Sequence, residues 1–450
     1  MKFQLQLCII VLTCLLSHAH GQEAKNPAET RPEFKIEVFE KSFRELIDPS
    51  QKIEVLAEGF RWSEGPVWHK TKKVLLFSDV PANKIYQLVD GELSVFMDPS
   101  GFDGESKEKG NGSNGLAFDS QGRLTVCDHG NRRIYRVEED GKTKTTLADK
   151  FEGKRFNSPN DLVFKSNGDI FFTDPPYGLN DESKHELGYS GVFCLKPDGK
   201  VERVSKELTR PNGIGLSPDE KTIYVAQSHK PNPIYTKYKI LDDGSYSAGE
   251  VLFDARKLAE KDRGSLDGLK VDIQGNLWAT GPGGVLVISP QGKLLGRIYT
   301  GTPAANCNFV GDGSKLIMTA GKFIIQVQTQ TKGLGDWGDA NPTTSIPIDV
   351  VNEVSATIDA ARTMLDNGEH EKFFMEAVPA KVVADMKANG RLKEVLEMFK
   401  TEKVPRILRD LNSAYFTCAE YDPSNESLKF FNDEKSFGLR KVNGQWQFQN

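Results

Sequence analysis

The sequence predicts an all-β, six-bladed β-propeller followed by a small α+β domain. Three observations carry this reading: a unit that recurs six times, alternating apolar strands inside each unit, and a change of pattern past residue 330.

The six units are SEGPVWHKTKKVLLFSD, SNGLAFDSQGRLTVCD, PNDLVFKSNGDIFFTD, PNGIGLSPDEKTIYVAQ, LDGLKVDIQGNLWATG and ANCNFVGDGSKLIMTA. Their second residues are Glu64, Asn114, Asn160, Asn212, Asp267 and Asn306, at spacings of 50, 46, 52, 55 and 39. Four places further on stands an apolar residue each time: Trp68, Phe118, Phe164, Leu216, Val271 and Val310. Each unit holds a short strand, a turn rich in Gly, Asp, Ser or Lys, and a second strand; after several comes a third strand candidate such as RIYRV or GVFCL. Small sheets repeating at this interval define propeller blades. A β-sandwich has no reason to repeat a polar residue at one register.

The flanks follow. Residues 1–21, with Lys2, an apolar run from Leu5 to Leu16 and small residues at Ala19 and Gly21, have the layout of a cleaved secretory signal, with cleavage before Gln22. The run is too short for a mature transmembrane span, so a secreted or periplasmic location is expected. Residues 22–51 read as an N-terminal extension and 52–330 as the propeller, with KIEVLAEGF supplying the outer strand of the sixth blade beside KFIIQVQTQ. The Gly/Pro/Thr-rich 331–346 reads as a linker. In 347–450, Val350, Val354, Ile358, Ala361 and Leu365 fall at helical spacing, and strands follow, with Asn443-Gly444 suited to a tight hairpin. That domain resembles the small nuclear transport factor two-like type and carries no catalytic set, which suggests an accessory role. A formal charge of -5 over 450 residues gives no reason to expect nucleic acid as a partner. Cys127, Cys194, Cys307 and Cys418 are too few and too spread for a disulfide framework and read as buried thiols.

If the repeated strands are innermost, Glu64, Asn114, Asn160, Asn212, Asp267 and Asn306 converge on the channel at one face. The last residues of the second strands, Asp79, Asp128, Asp174, Gln227, Gly281 and Ala320, return to that face as its rim. A ring of carboxylate and amide oxygens suits a hard divalent cation. Asn and Asp also make turns for purely structural reasons, but six in one register exceed that need.

WSEGPVWH, NSPNDLVF, RPNGIGLSPDEKTIYVA and the stretch from LDGLKVDIQGN to PQGKLLG resemble the gluconolactonase, senescence marker protein (regucalcin) and luciferin-regenerating enzyme family over residues 52 to 328. The resemblance implies a divalent metal in the central channel, Ca²⁺ first, with Zn²⁺, Mg²⁺ or Mn²⁺ open, and hydrolysis of a small-molecule lactone. By motif it places metal ligands at Glu64, Asn160, Asn212 and Asp267 and puts Asn114 on the substrate wall. Some sugar-lactone members carry Arg two residues before the Asn matching Asn160; here Ser158 stands there, which leaves the exact substrate open. The expected general base is Asp267, with Asp161, Asp174 and Asp128 as competitors, and Asp128 and Asp174 also as substrate contacts from the rim. His129 could orient substrate or donate a proton. Asn306 is expected to contribute little. No nucleophile elbow surrounds Ser113 or Ser158. Two alternatives share the site: a non-enzymatic, metal-stabilised propeller binding a partner on its top face, and an organophosphate hydrolase.

Overall fold

The computed structural model describes residues 32–104, 110–181, 185–335, 348–378, 380–404, 407, 419–422, 427–432, 435–442 and 445–449. The expected signal segment 1–21, most of the expected linker 331–346, Cys418 and Asn443-Gly444 lie outside them.

Six sheets radiate from a central channel. The innermost strands are Ser63–His69, Ser113–Phe118, Leu162–Phe164, Pro211–Leu216, Leu269–Val271 and Ala304–Val310, and each pairs antiparallel with the strand that follows it in the chain. Consecutive innermost strands touch, and that of blade 6 touches that of blade 1, which closes the ring. Glu54–Glu58 pairs with Phe323–Gln328 and completes blade 6 from the N-terminal side, as the sequence suggests.

The apolar pattern is explained by six separate cores, one between each pair of blades. Phe171 packs with Ile214 and Val225 of blade 4, whereas its neighbour Phe172 packs with Cys127 and Ile134 of blade 2. Leu75 and Phe77 face Val310 and Ile317 of blade 6, and Leu76 between them faces Leu116 and Val126 of blade 2. Middle strands buried on both faces need apolar side chains at successive positions, which is why FF and LLF occur where one-sided strands would alternate. Cys127, Cys194 and Cys307 are buried free thiols within these cores.

The structure corrects two boundaries. Residues 22–51 are not merely an extension: Lys35–Val38 adds a fifth strand to blade 5, pairing with Leu294–Tyr299, and Phe43 in the following turn is fully buried against Trp278. Gly296 makes this possible, because a Cβ there would lie 2.1 Å from the Phe43 ring. Past residue 330 the chain still belongs to the propeller, as Gly333 bridges Asp272 and the Leu334 amide donates to the Val271 carbonyl.

The C-terminal segment has helices Ile348–Asp366, His370–Ala377, Ala380–Ala388 and Leu392–Met398 and an antiparallel meander Ala419–Asp422, Ser427–Asn432, Lys435–Val442 and Gln445–Gln449. Val354, Ile358, Ala361 and Leu365 are buried, as their helical spacing predicts. Lys435–Val442 and Gln445–Gln449 pair antiparallel, with Val442 opposite Gln445.

Candidate active site

The ring residues reach the channel because each innermost strand is irregular at its start. Register shifts fall at Glu64/Val67, Ser113/Leu116, Pro211/Ile214 and Ala304/Asn306, and in blades 3 and 5 Asn160 and Asp267 precede regular pairing. Such bulges re-aim a side chain. The next residue is Gly in four blades, where the neighbouring blade comes close. A Cβ on Gly115 would sit 2.8 Å from an Asp161 carboxylate oxygen, and one on Gly268 would overlap the Asn306 amide at 2.0 Å. Hydroxyls latch the blades around the ring: Ser78 donates to the Asn114 carbonyl at 2.8 Å and Thr173 to the Asn212 carbonyl at 2.6 Å.

Three carboxylates meet here. Glu64 is raised to about 7, first by burial and then by the charge of Asp161. Burial raises Asp267 well above the usual carboxylate range, with Glu64 and Asp161 adding to it. Asp161 is raised by burial and held back by the Lys270 ammonium, its amide neighbours and the Asn306 side chain. Three anions in a buried site disfavour one another's ionisation, and a cation would relieve all three at once. Asp267 lies deep yet keeps accessible surface, so the channel mouth admits solvent.

The amides divide into two kinds. Asn306 accepts the Cys307 amide on its oxygen at 2.9 Å and turns its nitrogen to Glu64 at 3.3 Å and Asp161 at 3.4 Å. It is a donor to the carboxylates, not an inert ring member as the sequence suggests. Asn212 differs: its nitrogen donates to Ser228 Oγ at 2.9 Å, its side chain also steadies the Asp267 carboxyl, and its buried oxygen has no partner. Asn114 likewise leaves a buried, unpartnered oxygen. Asn160 is buried beside them, its backbone fixed by Thr173 and Gly115. Among the described residues no group of three His, Cys, Asp or Glu side chains, these carboxylates included, is arranged closely enough to hold a metal by itself. The unpartnered Asn212 oxygen, a hard donor beside Asp267, is of the chemical type that suits a hard cation.

The expected acidic rim is absent. Asp174 is fully buried, and its two oxygens accept the amides of Asn157 at 2.7 Å and Ser158 at 2.8 Å. Asp79 does the same for Arg61 and Trp62, and Gln227 accepts from Thr209. Asp128, also fully buried, holds the Asn131 amide and the Arg133 guanidinium. Asp128 and Asp174 are thus clamps for the loops at the strand ends, where shielded N–H groups require acceptors, and not substrate contacts or bases. Gln227 in the same register was the available signal, because a side chain that cannot be a base can still accept an N–H.

Asp161 does enter the channel, but its oxygens are engaged by the Leu162 amide and Asn306. His129 is buried with an unpartnered Nε2, and desolvation lowers it to about 4, which favours the neutral ring near pH 7 and the substrate-orienting role over proton donation, the two roles the sequence suggests for it. Sequence reasoning missed Tyr177. Ser158 donates to the Pro175 carbonyl at 2.5 Å and accepts from the Gly178 amide at 2.9 Å, so this loop packs on the small Ser158 side chain. The Tyr177 hydroxyl is thereby set beside Ser228 and Asn212, buried and without a well-formed hydrogen bond. A surface cavity of about 530 Å³ at the edge of blades 1 and 2 is a poor competitor: Arg133 is committed to Asp128 and Thr146, and Lys144 to the carbonyls of Pro99 and Ser100.

Residues 62–322 match the family model of the SMP-30/gluconolactonase/LRE-like region. The chain belongs to this family. A gluconolactonase of Zymomonas mobilis is 40% identical over 326 residues, covering 70% of this chain and 91% of that protein. A pentonolactonase of Haloferax volcanii is 28% identical over 241 residues, covering 53% and 73%. Among solved structures, a gluconolactonase from Xanthomonas campestris aligns with TM-score 0.59 at 32% identity over 66% of this chain and 96% of its own. A calcium-binding regucalcin from Agrobacterium tumefaciens, at 19% identity and TM-score 0.50, shares the fold. The family match thus spans the propeller, and the ring residues from Glu64 to Asn306 all lie inside it.

Proposed function

We propose that this family member is an exported, metal-dependent lactonase that opens a sugar-type lactone, with a divalent ion, Ca²⁺ first, on Glu64, Asn160, Asn212 and Asp267. The observation that carries the reading is that Glu64 and Asp267 act on one another in the channel beside the Asn212 side chain, whose buried oxygen has no partner, with Asp267 still reached by solvent. Similarity to lactone-hydrolysing relatives, led by the Zymomonas mobilis gluconolactonase, supports the substrate class. A bound divalent ion supplies Lewis acidity to the lactone carbonyl and charge stabilisation to its oxygen.

The chain's own residues do the rest. Asp267, the accessible carboxylate of the three, takes a proton from the attacking water as the bond to the carbonyl carbon forms. The ring C–O bond then breaks, the proton passes to the ring oxygen, and the carboxylate is regenerated. Asn306 donates to Glu64 and Asp161 and holds both in place, and Asn114, with its unpartnered oxygen, accepts a substrate hydroxyl on the channel wall. Neutral His129 lies close to Gly178 in the loop that carries Tyr177 and orients substrate from that side. The segment 1–21 directs export, with the mature chain starting at Gln22. The test is glucono-lactone opening by purified full-length protein, followed by acid release in a pH-stat. Turnover should vanish in chelator and return with Ca²⁺; full activity in chelator refutes the reading. N-terminal sequencing of the exported protein checks the cleavage site.

A further inference from the structure

Of the amides around the channel, Asn212 alone has its orientation dictated by a neighbouring hydroxyl whose own proton is already spoken for. Ser228 Oγ donates its single proton to the Leu266 carbonyl, a group that can only accept. Toward Asn212 that hydroxyl can therefore only accept. It takes the Asn212 Nδ2 proton at 2.9 Å, which turns Asn212 Oδ1 the other way, where it is buried and unpartnered. The Ser228 amide in turn donates to the Arg210 carbonyl at 3.0 Å, so the serine backbone is fixed as well. Leu266 immediately precedes Asp267, and the Ser228 hydroxyl thus spans from the Asn212 side chain in blade 4 to the approach to the Asp267 strand in blade 5.

We propose that Ser228 is a positioning residue that aims the Asn212 oxygen at the cation and ties it to the strand bearing Asp267. The inference rests on the metal reading above. The contrast with Asn306 shows what the serine decides: there the backbone amide of Cys307 captures the oxygen, and the nitrogen faces the carboxylates. Without Ser228, Asn212 loses the one well-formed hydrogen bond of its side chain, keeps only the Tyr177 hydroxyl and the Asp267 carboxyl near its amide, and is freer to turn N–H groups to a cation. Groups that orient a ligand in this way typically control metal affinity by about 10- to 100-fold.

The test is calorimetric titration of the metal-stripped full chain with Ca²⁺ alone, for wild type, Ser228→Ala, Asn212→Ala and the double variant, with a melting curve of each metal-free protein. Ser228→Ala should weaken Ca²⁺ by about 10-fold or more. It should weaken nothing further in the Asn212→Ala background, because the serine acts through that amide. Ser228→Thr, which keeps the hydroxyl, should restore binding. Should Ser228→Ala fail to fold, Ser228→Cys keeps the volume, loses most acceptor strength and serves in the same cycle. Unchanged Ca²⁺ affinity in Ser228→Ala, or losses that simply add in the double variant, overturn the positioning role while leaving the metal site standing. Absence of Ca²⁺, Mg²⁺, Mn²⁺ and Zn²⁺ binding by the wild type overturns both.

Discussion

Replacing Asp174 by Ala separates a loop clamp from a catalytic or substrate-binding carboxylate. The substitution strips acceptors from the buried amides of Asn157 and Ser158, held at 2.7 and 2.8 Å. Each buried donor left unpaired costs about 1–3 kcal/mol, so the loss is about 2–6 kcal/mol where the native carboxyl is protonated. The wild-type group has its own pH dependence, because burial lifts it from 3.8 to about 7. Below pH 4 it is protonated in both folded and unfolded chains. Between about 4 and 7 the folded chain holds a proton that the unfolded chain has released, so the stability it contributes is lost as pH rises through about 7. The two pH units from 5 to 7 correspond to about 3 kcal/mol of that loss, from which the Ala variant is exempt. Urea denaturation should therefore show the variant clearly destabilised at pH 5 and the deficit shrinking by about 3 kcal/mol at pH 8. Turnover per folded molecule should stay near wild type at both. A deficit that is constant or grows with pH refutes the electrostatic argument, and lost turnover at unchanged stability returns Asp174 to the catalytic site.

Four further outcomes follow from the channel and the N-terminal strand. Glu64→Gln should lower Ca²⁺ affinity in calorimetry and be partly rescued by excess metal, whereas Asn114→Ala should leave affinity intact and cut turnover by about 10²-fold. Asn306→Ala removes the donor shared by Glu64 and Asp161. Glu64, already at about 7, should then hold its proton more firmly, and Ca²⁺ affinity should fall more at pH 6 than at pH 8, with proton uptake by the buffer as the calorimetric readout. Phe43→Ala should cost about 3–5 kcal/mol in denaturant, since its ring fills the space left by Gly296; an unchanged midpoint would mean that residues 35–47 are dispensable.

The repeat was legible because a propeller imposes one register on every blade: the positions of Glu64 through Asn306 and the closing strand Glu54–Glu58 follow from it directly. The strand Lys35–Val38 was not legible. It carries no copy of the repeat and joins blade 5 from 256 or more residues away in sequence, so only the missing side chain of Gly296 hints at a ring packed above it. At the site, chemical type was readable and direction was not. Asp161 and Asp174 are both carboxylates at the ends of strand motifs, yet one faces Glu64 across the channel and the other is consumed by two loop amides. Which way a side chain leaves a bulge depends on the adjacent blade, and that blade lies some 50 residues away in the chain.

The mixture of side chains in the ring follows from charge. Glu64, Asp161 and Asp267 bring three potential negative charges to a buried place, with Lys270 acting on Asp161. Six carboxylates there would hold protons and not a cation, since each raises its neighbours. Amides supply oxygen without that penalty, but an amide has two ends, and the wrong end repels a cation. Under the proposed metal site the channel needs groups that choose the end: the Cys307 amide for Asn306, which serves the carboxylates, and Ser228 for Asn212, which leaves an oxygen for the proposed ion. On this reasoning, metal affinity in this protein depends on hydroxyls and backbone N–H groups that never touch the metal, and substitutions at them should alter affinity without altering the net charge of the site.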